Sequence, residues 1–259
     1  MILDEIIAQK RVTIDQMKKT HAVSDLQKSA GLAPTPRDFQ RAIRDGSQPA
    51  VIAEIKKASP SAGVIRADLD IAALARSYEK GGAAAISVIT EESFFLGKLE
   101  YLQKAREACR LPMLCKDFII DSIQVFAARA AGADALLLIA AALDQDSLVN
   151  LLATSRSLGM ACLVEVHNEA ELVRVLSSDA RIIGINNRNL QTFEVRLETT
   201  LGLRPLIPGD RLVVSESGIC DRGDVESLAA IRVNAILVGT SLMRSHDPEK
   251  KLRELRGVA

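Results

Sequence analysis

Residues 132–165 read GADALLLIAAALDQDSLVNLLATSRSLGMACLVE and contain one full unit of the repeat that organises the chain. The apolar run Ala135–Ile139 is short and continuous, as in a parallel strand buried on both faces. Leu148, Leu151 and Leu152 then recur at helical spacing, and Gly159 stops that pattern. A second apolar run, Ala161–Val164, follows and ends in Glu165. Strand, helix and strand in this order make a βα unit with parallel neighbouring strands.

The same unit recurs on either side. Apolar runs occupy Val51–Ile55, Ala84–Ile89, Leu111–Cys115, Ala135–Ile139, Ala161–Val164, Ile182–Ile185, Leu212–Val214 and Ala235–Val238. Helical faces lie between them. Ile71, Leu74, Ala75 and Tyr78 end at Gly81-Gly82, and Ile123, Phe126, Ala127 and Ala130 end at Gly132. Asn168 and Glu171 have the spacing of a capping box ahead of Leu172, Val173 and Leu176. Asp247-Pro248 starts a last helix that reaches Leu255. Eight strand-like runs in a chain of 259 residues predict a closed (β/α)8 TIM barrel. An open doubly wound sheet has fewer parallel strands and a glycine-rich first turn, whereas here the first run continues into Glu54-Ile55-Lys56-Lys57.

Residues 1–48 have a different character. Leu3, Ile6, Ile7, Ile14 and Met17 share a face of a helix over 4–19, and a second short helix is expected over 24–29. Pro34-Thr35-Pro36 interrupts, and residues 37–44 read as a further helical turn. The expected organisation is an N-terminal helical extension, residues 1–48, packed on the barrel mouth, and a catalytic barrel, residues 49–259. Only one set of eight runs is present, so a fused bifunctional form is not expected.

Composition narrows the function classes. Lys plus Arg and Asp plus Glu both number 33, so the charge lacks the basic excess of a general nucleic-acid binder. Asp4 and Glu5 stand where a secretory signal would carry positive charge. The longest apolar run, Ala135–Leu143, is far shorter than the roughly 20 residues that span a bilayer. A cytoplasmic monomer without membrane or nucleic-acid partners is expected. Cys109, Cys115, Cys162 and Cys220 form no C-x-x-C pair and read as reduced, mostly buried thiols. His21, His167 and His246 lack metal-ligand spacing, so neither metal nor cofactor is expected.

In a parallel barrel, chemistry sits at the C-terminal ends of the strands. The polar residues there are Glu54, Lys56 and Ser59 after the first strand, Lys116 after the third, Glu165 after the fifth, Asn186 and Arg188 after the sixth, and Glu216 and Ser217 after the seventh. The second and fourth strands contribute less. A single charge at a strand end is ordinarily a solvated side chain. Several ionised groups converging on one cavity cost free energy unless a ligand or reaction compensates, so the set reads as a reaction site. Ser217-Gly218 and Gly239-Thr240 follow the seventh and eighth strands, where small residues let backbone N–H groups approach a phosphate. The expected partner is a phosphorylated small molecule.

At these residues the chain resembles the indole-3-glycerol-phosphate synthase family. The resemblance rests on Ala53–Ser61, Leu114–Ile119, Leu163–His167, Gly184–Leu190, Ser215–Ile219 and Val238–Met243, in that order after a helical extension. It implies a carboxy-lyase of tryptophan biosynthesis that needs no cofactor or metal. That enzyme converts 1-(o-carboxyphenylamino)-1-deoxyribulose 5-phosphate to indole-3-glycerol phosphate, CO2 and water. It further implies that Lys116 is the cationic acid that polarises the C2′ carbonyl, with Lys56 as the second lysine and Glu54 holding both lysines in place and tuning them. Glu165 would be the acid or base of the late steps, with Asn186 and Glu216 positioning the reacting centre. Arg188 and Ser59 would contact the substrate, Ser217, Gly218, Gly239 and Thr240 its phosphate, and Phe95, Phe118 and Leu137 its aromatic ring.

One local departure from the family pattern occurs at Lys98, where serine is expected before Leu99. Two rivals are weighed. A phosphoribosylanthranilate isomerase would need a cysteine–aspartate pair, and no cysteine lies near the first strand. A non-catalytic phosphate-binding barrel or scaffold would not need the full charged set.

Overall fold

The computed structural model describes residues 2–46 and 49–258. The eight barrel strands are β1 (Ala50–Ile55), β2 (Ala85–Ile89), β3 (Met113–Lys116), β4 (Ala135–Ile139), β5 (Ala161–Val166), β6 (Ile182–Asn186), β7 (Leu212–Glu216) and β8 (Ala235–Val238). Each pairs in parallel with its neighbours, and β8 returns to β1 to close the sheet. The predicted (β/α)8 TIM barrel is therefore present. The third strand begins two residues later than its apolar run, after Pro112, which has no N–H for a ladder.

The period-two alternation of the strands divides the core. Val51, Ala53, Ile55, Ile86 and Val88 face outward and pack under the surrounding helices. Ile52, Leu114, Leu137, Leu163, Ile182 and Val214 face inward and fill the barrel. Along several strands the inward residue changes character near the C-terminal end. Glu54 succeeds Ile52, Lys116 succeeds Leu114, Glu165 succeeds Leu163 and Glu216 succeeds Val214. The lower barrel is thus an apolar plug, and the upper barrel is charged.

The extension forms three helices: α1 (Ile2–Thr20), α2 (Val23–Leu32) and α3 (Phe39–Asp45). The expectation of an extension packed on the mouth describes only the first. Ile2, Leu3 and Ile6 of α1 reach the cavity there. Helix α2 packs along α6 (Ser122–Ala130) on the flank. Helix α3 sits at the opposite end, where Phe39 and Ile43 join the interior core beside Ala50 and Ala85. The boundary expected between residues 48 and 49 abuts Ser47 and Gln48, which lie outside the described residues.

Helix ends follow the local chemistry. Helix α4 (Ile71–Gly81) starts with an Asp70 cap and stops at Gly82, whose φ of 83° is left-handed. Before α5 (Leu99–Ala108), Lys98 occupies the cap position and makes no side-chain cap bond, since an ammonium cannot accept one. The capping box predicted at Asn168 is half formed. Asn168 accepts the N–H of Glu171, but Glu171 reaches back to the N–H of His167, one residue earlier.

Candidate active site

A cavity of about 830 Å³ opens at the C-terminal end of the barrel, a size that suits a small-molecule site. Every candidate residue named from the sequence lines it, from Glu54 on β1 to Thr240 beyond β8. Ile2, Leu3 and Ile6 of α1 contribute to its apolar wall.

Lys116 stands at the centre of the charged floor. Its Nζ lies 3.2 Å from Oε2 of Glu165 and 3.4 Å from Oε2 of Glu216. Asn186 donates from Nδ2 to the other Glu165 oxygen at 3.1 Å. Lys56 donates to Glu54 at 2.7 Å at the end of β1. The sequence expectation that Glu54 holds both lysines needs correction. Glu54 bonds Lys56 alone and acts on Lys116 only through the longer-range field. Strand geometry explains this, because Glu54 and Lys56 lie two apart on one strand face, whereas Lys116 stands on β3.

These environments separate the ionisable groups. Burial disfavours the charge on Lys116, but Glu165 and Glu216 outweigh it and raise its pKa above the usual lysine range. Burial also opposes the charge of Glu165, yet Lys116 and the adjacent His167 prevail, so Glu165 stays ionised. Glu216 goes the other way. Burial, reinforced by the repulsion of Glu165 and Glu54, raises its pKa well above the carboxylate range despite Lys116. Two neighbouring carboxyls pushed apart in this manner mark an ionised base and a protonated acid. Among the described residues neither oxygen of Glu216 accepts a hydrogen bond, its contact with Lys116 being a longer ion pair, which leaves both for a ligand.

The walls carry the expected apolar residues and are supported by residues the sequence did not single out. Glu91, after the second strand, accepts the N–H groups of Ser93, Phe94 and Phe95 at 3.0, 2.8 and 3.0 Å. It fixes the loop that carries Phe95, so the second strand contributes more than its sequence implied. Phe95 and Phe118 pack against each other with ring centroids 6.1 Å apart and planes tilted by 41°, and both line the cavity. Leu137 is part of the interior core and forms the cavity floor beneath it. Asp117, next to Lys116, pairs with Lys10 of α1 at 2.7 Å and accepts Thr90 Oγ1 at 2.7 Å. The extension is thus tied to the residue beside the central lysine.

The loop after β7 turns through Ser217 and Gly218 with φ values of 68° and 83°. Buried Asn187 supports that turn by donating to the Ser217 carbonyl and to Ser215 Oγ, both at 3.0 Å. After β8, Gly239 passes so close to Glu54 that a Cβ there would collide with its carboxylate. The following short helix, Thr240–Arg244, presents its first N–H groups without intrahelical partners. Arg188 is half-buried at the cavity edge, and its Nη1 donates to the Phe193 carbonyl at 3.1 Å, leaving part of the fork for a ligand.

The model of the family described as indole-3-glycerol phosphate synthase matches residues 3–255. The chain is 50% identical over 260 residues to an indole-3-glycerol phosphate synthase of Polaromonas sp. (strain JS666 / ATCC BAA-500), a match covering 99% of this chain and 98% of that one. Among solved structures, it resembles 3-hexulose-6-phosphate synthase from Salmonella typhimurium with a TM-score of 0.64 and 12% identity, over 80% of this chain and 97% of that one. Thiamine phosphate pyrophosphorylase from Pyrococcus furiosus gives a TM-score of 0.62 at 18% identity, over 82% of this chain and 95% of that one. These structural likenesses concern the fold alone.

Proposed function

Since the chain belongs to the indole-3-glycerol phosphate synthase family, carboxy-lyases of tryptophan biosynthesis, we propose that its mouth closes the indole ring by means of Lys116 set between two glutamates of opposite protonation state. The reaction takes 1-(o-carboxyphenylamino)-1-deoxyribulose 5-phosphate to indole-3-glycerol phosphate with loss of CO2 and water. The observation that carries the assignment of roles is the position of the Lys116 ammonium, 3.2 Å from Glu165 and 3.4 Å from Glu216 in one cavity.

The C2′ carbonyl must become electrophilic before the carbon bearing the ring carboxylate attacks it. Lys116 donates a proton to the developing alkoxide and stabilises its charge. Once CO2 has left, the hydroxyl leaves as water. Glu165, ionised in the resting site, is placed to take a proton in that stage. Lys56, held by Glu54, binds the substrate carboxylate or phosphate and assists proton transfer in the dehydration. Glu216, whose contact with Lys116 leaves its hydrogen-bonding capacity unused, and Asn186 hold the substrate oxygens. Ser217, Gly218, Gly239 and Thr240 cradle the phosphate, Arg188 and Ser59 contact the polar groups, and Phe95, Phe118 and Leu137 take the aromatic ring. Residues 49–259 form the catalytic domain and residues 1–48 the extension. The protein acts as a cytoplasmic monomer without metal or cofactor.

Metal-free protein given this substrate is expected to produce indole fluorescence with equimolar CO2. A well-folded protein that gives neither result would return the chain to the reading of a phosphate-binding barrel. Deleting residues 1–45 is expected to raise KM about tenfold, equivalent to roughly 1.4 kcal/mol of lost binding. It should also lower the melting temperature, because Ile2, Leu3 and Ile6 leave the cavity and Phe39 and Ile43 leave the barrel base. Unchanged kinetics and melting in the truncated chain would contradict this role for the extension.

A further inference from the structure

The charged floor continues outward through a residue to which the reaction as described gives no part. His167 follows β5 directly, two residues beyond Glu165, and so lies on the same side of the strand. Its Nε2 is 3.2 Å from Oε1 of Glu165, and its Nδ1 is 3.1 Å from Oε2 of Glu171 at the start of the helix Glu169–Leu176. Glu171 is itself pinned. It accepts the backbone N–H of His167 at 2.8 Å and Nδ2 of Asn168 at 2.7 Å. This is why the predicted capping box is only half formed: the glutamate is committed to the histidine.

Each ring nitrogen therefore faces a carboxylate. A neutral imidazole has one N–H and would turn a lone pair toward the other carboxylate, whereas the imidazolium has a donor for each. Two facing carboxylates favour the doubly protonated ring, with Nδ1 hydrogen-bonded to Glu171 and Nε2 in an ion-pair contact with Glu165 that is not aligned as a hydrogen bond. Burial opposes that charge, but Glu165 and Glu171 outweigh it and raise the His167 pKa to about 10, in agreement.

The groups facing Glu165 are Lys116 from β3, Asn186 from β6 and His167 from its own strand, with Glu216 of β7 across Lys116. In the resting site two cations flank Glu165. After Lys116 has given its proton to the substrate oxygen, only His167 remains cationic beside it. We propose that His167 is a positioning residue that, as an imidazolium braced by Glu171, keeps Glu165 ionised and aimed while Lys116 is neutral. Glu165 can then act as base in the same turnover in which Lys116 acted as acid. The inference rests on the assignment of Lys116 and Glu165 given above.

The test is the pH dependence of kcat and KM from the acid limit of folding to about pH 9 for the full chain and for His167→Gln, Glu171→Gln and Glu165→Gln. Thermal melts of each variant check folding. The base must be ionised, and loss of the neighbouring cation tightens its proton, so the variant loses rate on the acidic side. His167→Gln is expected to move the acid limb of kcat upward by about one unit and to lower kcat roughly tenfold below that limb, since one unit is a tenfold change in proton affinity. KM should stay within about twofold, and the rate should recover at alkaline pH. Glu171→Gln removes the brace without altering the cavity and is expected to move the limb in the same direction by less. It carries the test alone if His167→Gln does not fold. A loss of kcat equal at every pH, or an unmoved limb in both variants, overturns the inference while Glu165→Gln remains inactive. A Glu165→Gln variant with near-normal kcat overturns the base assignment itself, and the inference with it.

Discussion

Replacing Lys116 by alanine is expected to lower kcat by about 10²- to 10⁴-fold, the range for removing a positioned general acid. Two effects combine in this variant. The proton donor to the carbonyl oxygen is gone, and Glu165 and Glu216 lose the cation that lay 3.2 and 3.4 Å from them. Without it, Glu165 binds a proton more tightly and is less available as a base. The loss should therefore appear in kcat far more than in KM, because phosphate and ring contacts are untouched. A sign follows for stability as well. With Lys116 gone, the folded-state pKa of Glu216 rises further above the unfolded value, and that of Glu165 loses the main influence holding it below. The Glu216 contribution is present below the unfolded pKa and is lost as pH rises through the folded pKa, while the stabilisation that ionised Glu165 drew from Lys116 above its unfolded pKa is forfeited. The variant should therefore lose melting temperature relative to the parent as pH increases from about 5 to 9. A variant with kcat within threefold of the parent would move the acid role away from Lys116, and Lys56 is the other lysine placed to take it.

The second large effect is on stability, at the opposite end of the barrel. Asp134 precedes β4, and its side chain is wholly buried. It accepts Arg106 Nη1 at 2.6 and 2.7 Å, the N–H of Met113 at 2.8 Å and the N–H of Arg37 at 2.8 Å. One carboxylate thus ties together α5, β3 and the chain leading into α3. Removing it leaves the largely buried Arg106 guanidinium uncompensated, which costs about 3–5 kcal/mol. In a domain of this size, Asp134→Ala is expected to lower the melting temperature by on the order of 10 °C. Because Asp134 lies below the apolar plug and far from the charged floor, kcat at 25 °C should change by less than about twofold. A melting temperature that moves by less than 2 °C would show that the network does not hold the extension to the barrel.

The barrel was legible because its strands are buried on both faces and its helices on one, so runs and periodic stretches alternate without ambiguity. The charged residues at strand ends were legible for the same reason. Glu165 breaks an apolar run at a position whose side chain must face inward, and only the mouth can receive it. What the sequence could not give was which group each of these charges meets. Glu171 has capping-box spacing, but its true partner is His167, and a one-residue difference in reach separates the two outcomes. Glu91 reads as one of two adjacent acidic residues, and only the folded loop reveals three N–H groups turned toward it. Phe39 and Ile43 look like one face of a surface helix. That they fill the base of the barrel depends on where residues far along the chain come to lie. The short hairpin of Ala58–Ser59 with Gly63–Val64 was missed because two-residue strands around Pro60 carry no periodic signal.

In the charged floor, burial and neighbouring charge keep Glu165 ionised and Glu216 protonated on either side of Lys116. The most direct measurement is a carbon NMR titration of protein labelled at the glutamate side-chain carboxyls, repeated on Glu216→Gln. The predicted result is one carboxyl that remains protonated well above the ordinary glutamate range and disappears in Glu216→Gln, while the Glu165 signal stays ionised down to the acid limit of folding. Ionisation of every glutamate by about pH 6, in the ordinary range, would contradict the account.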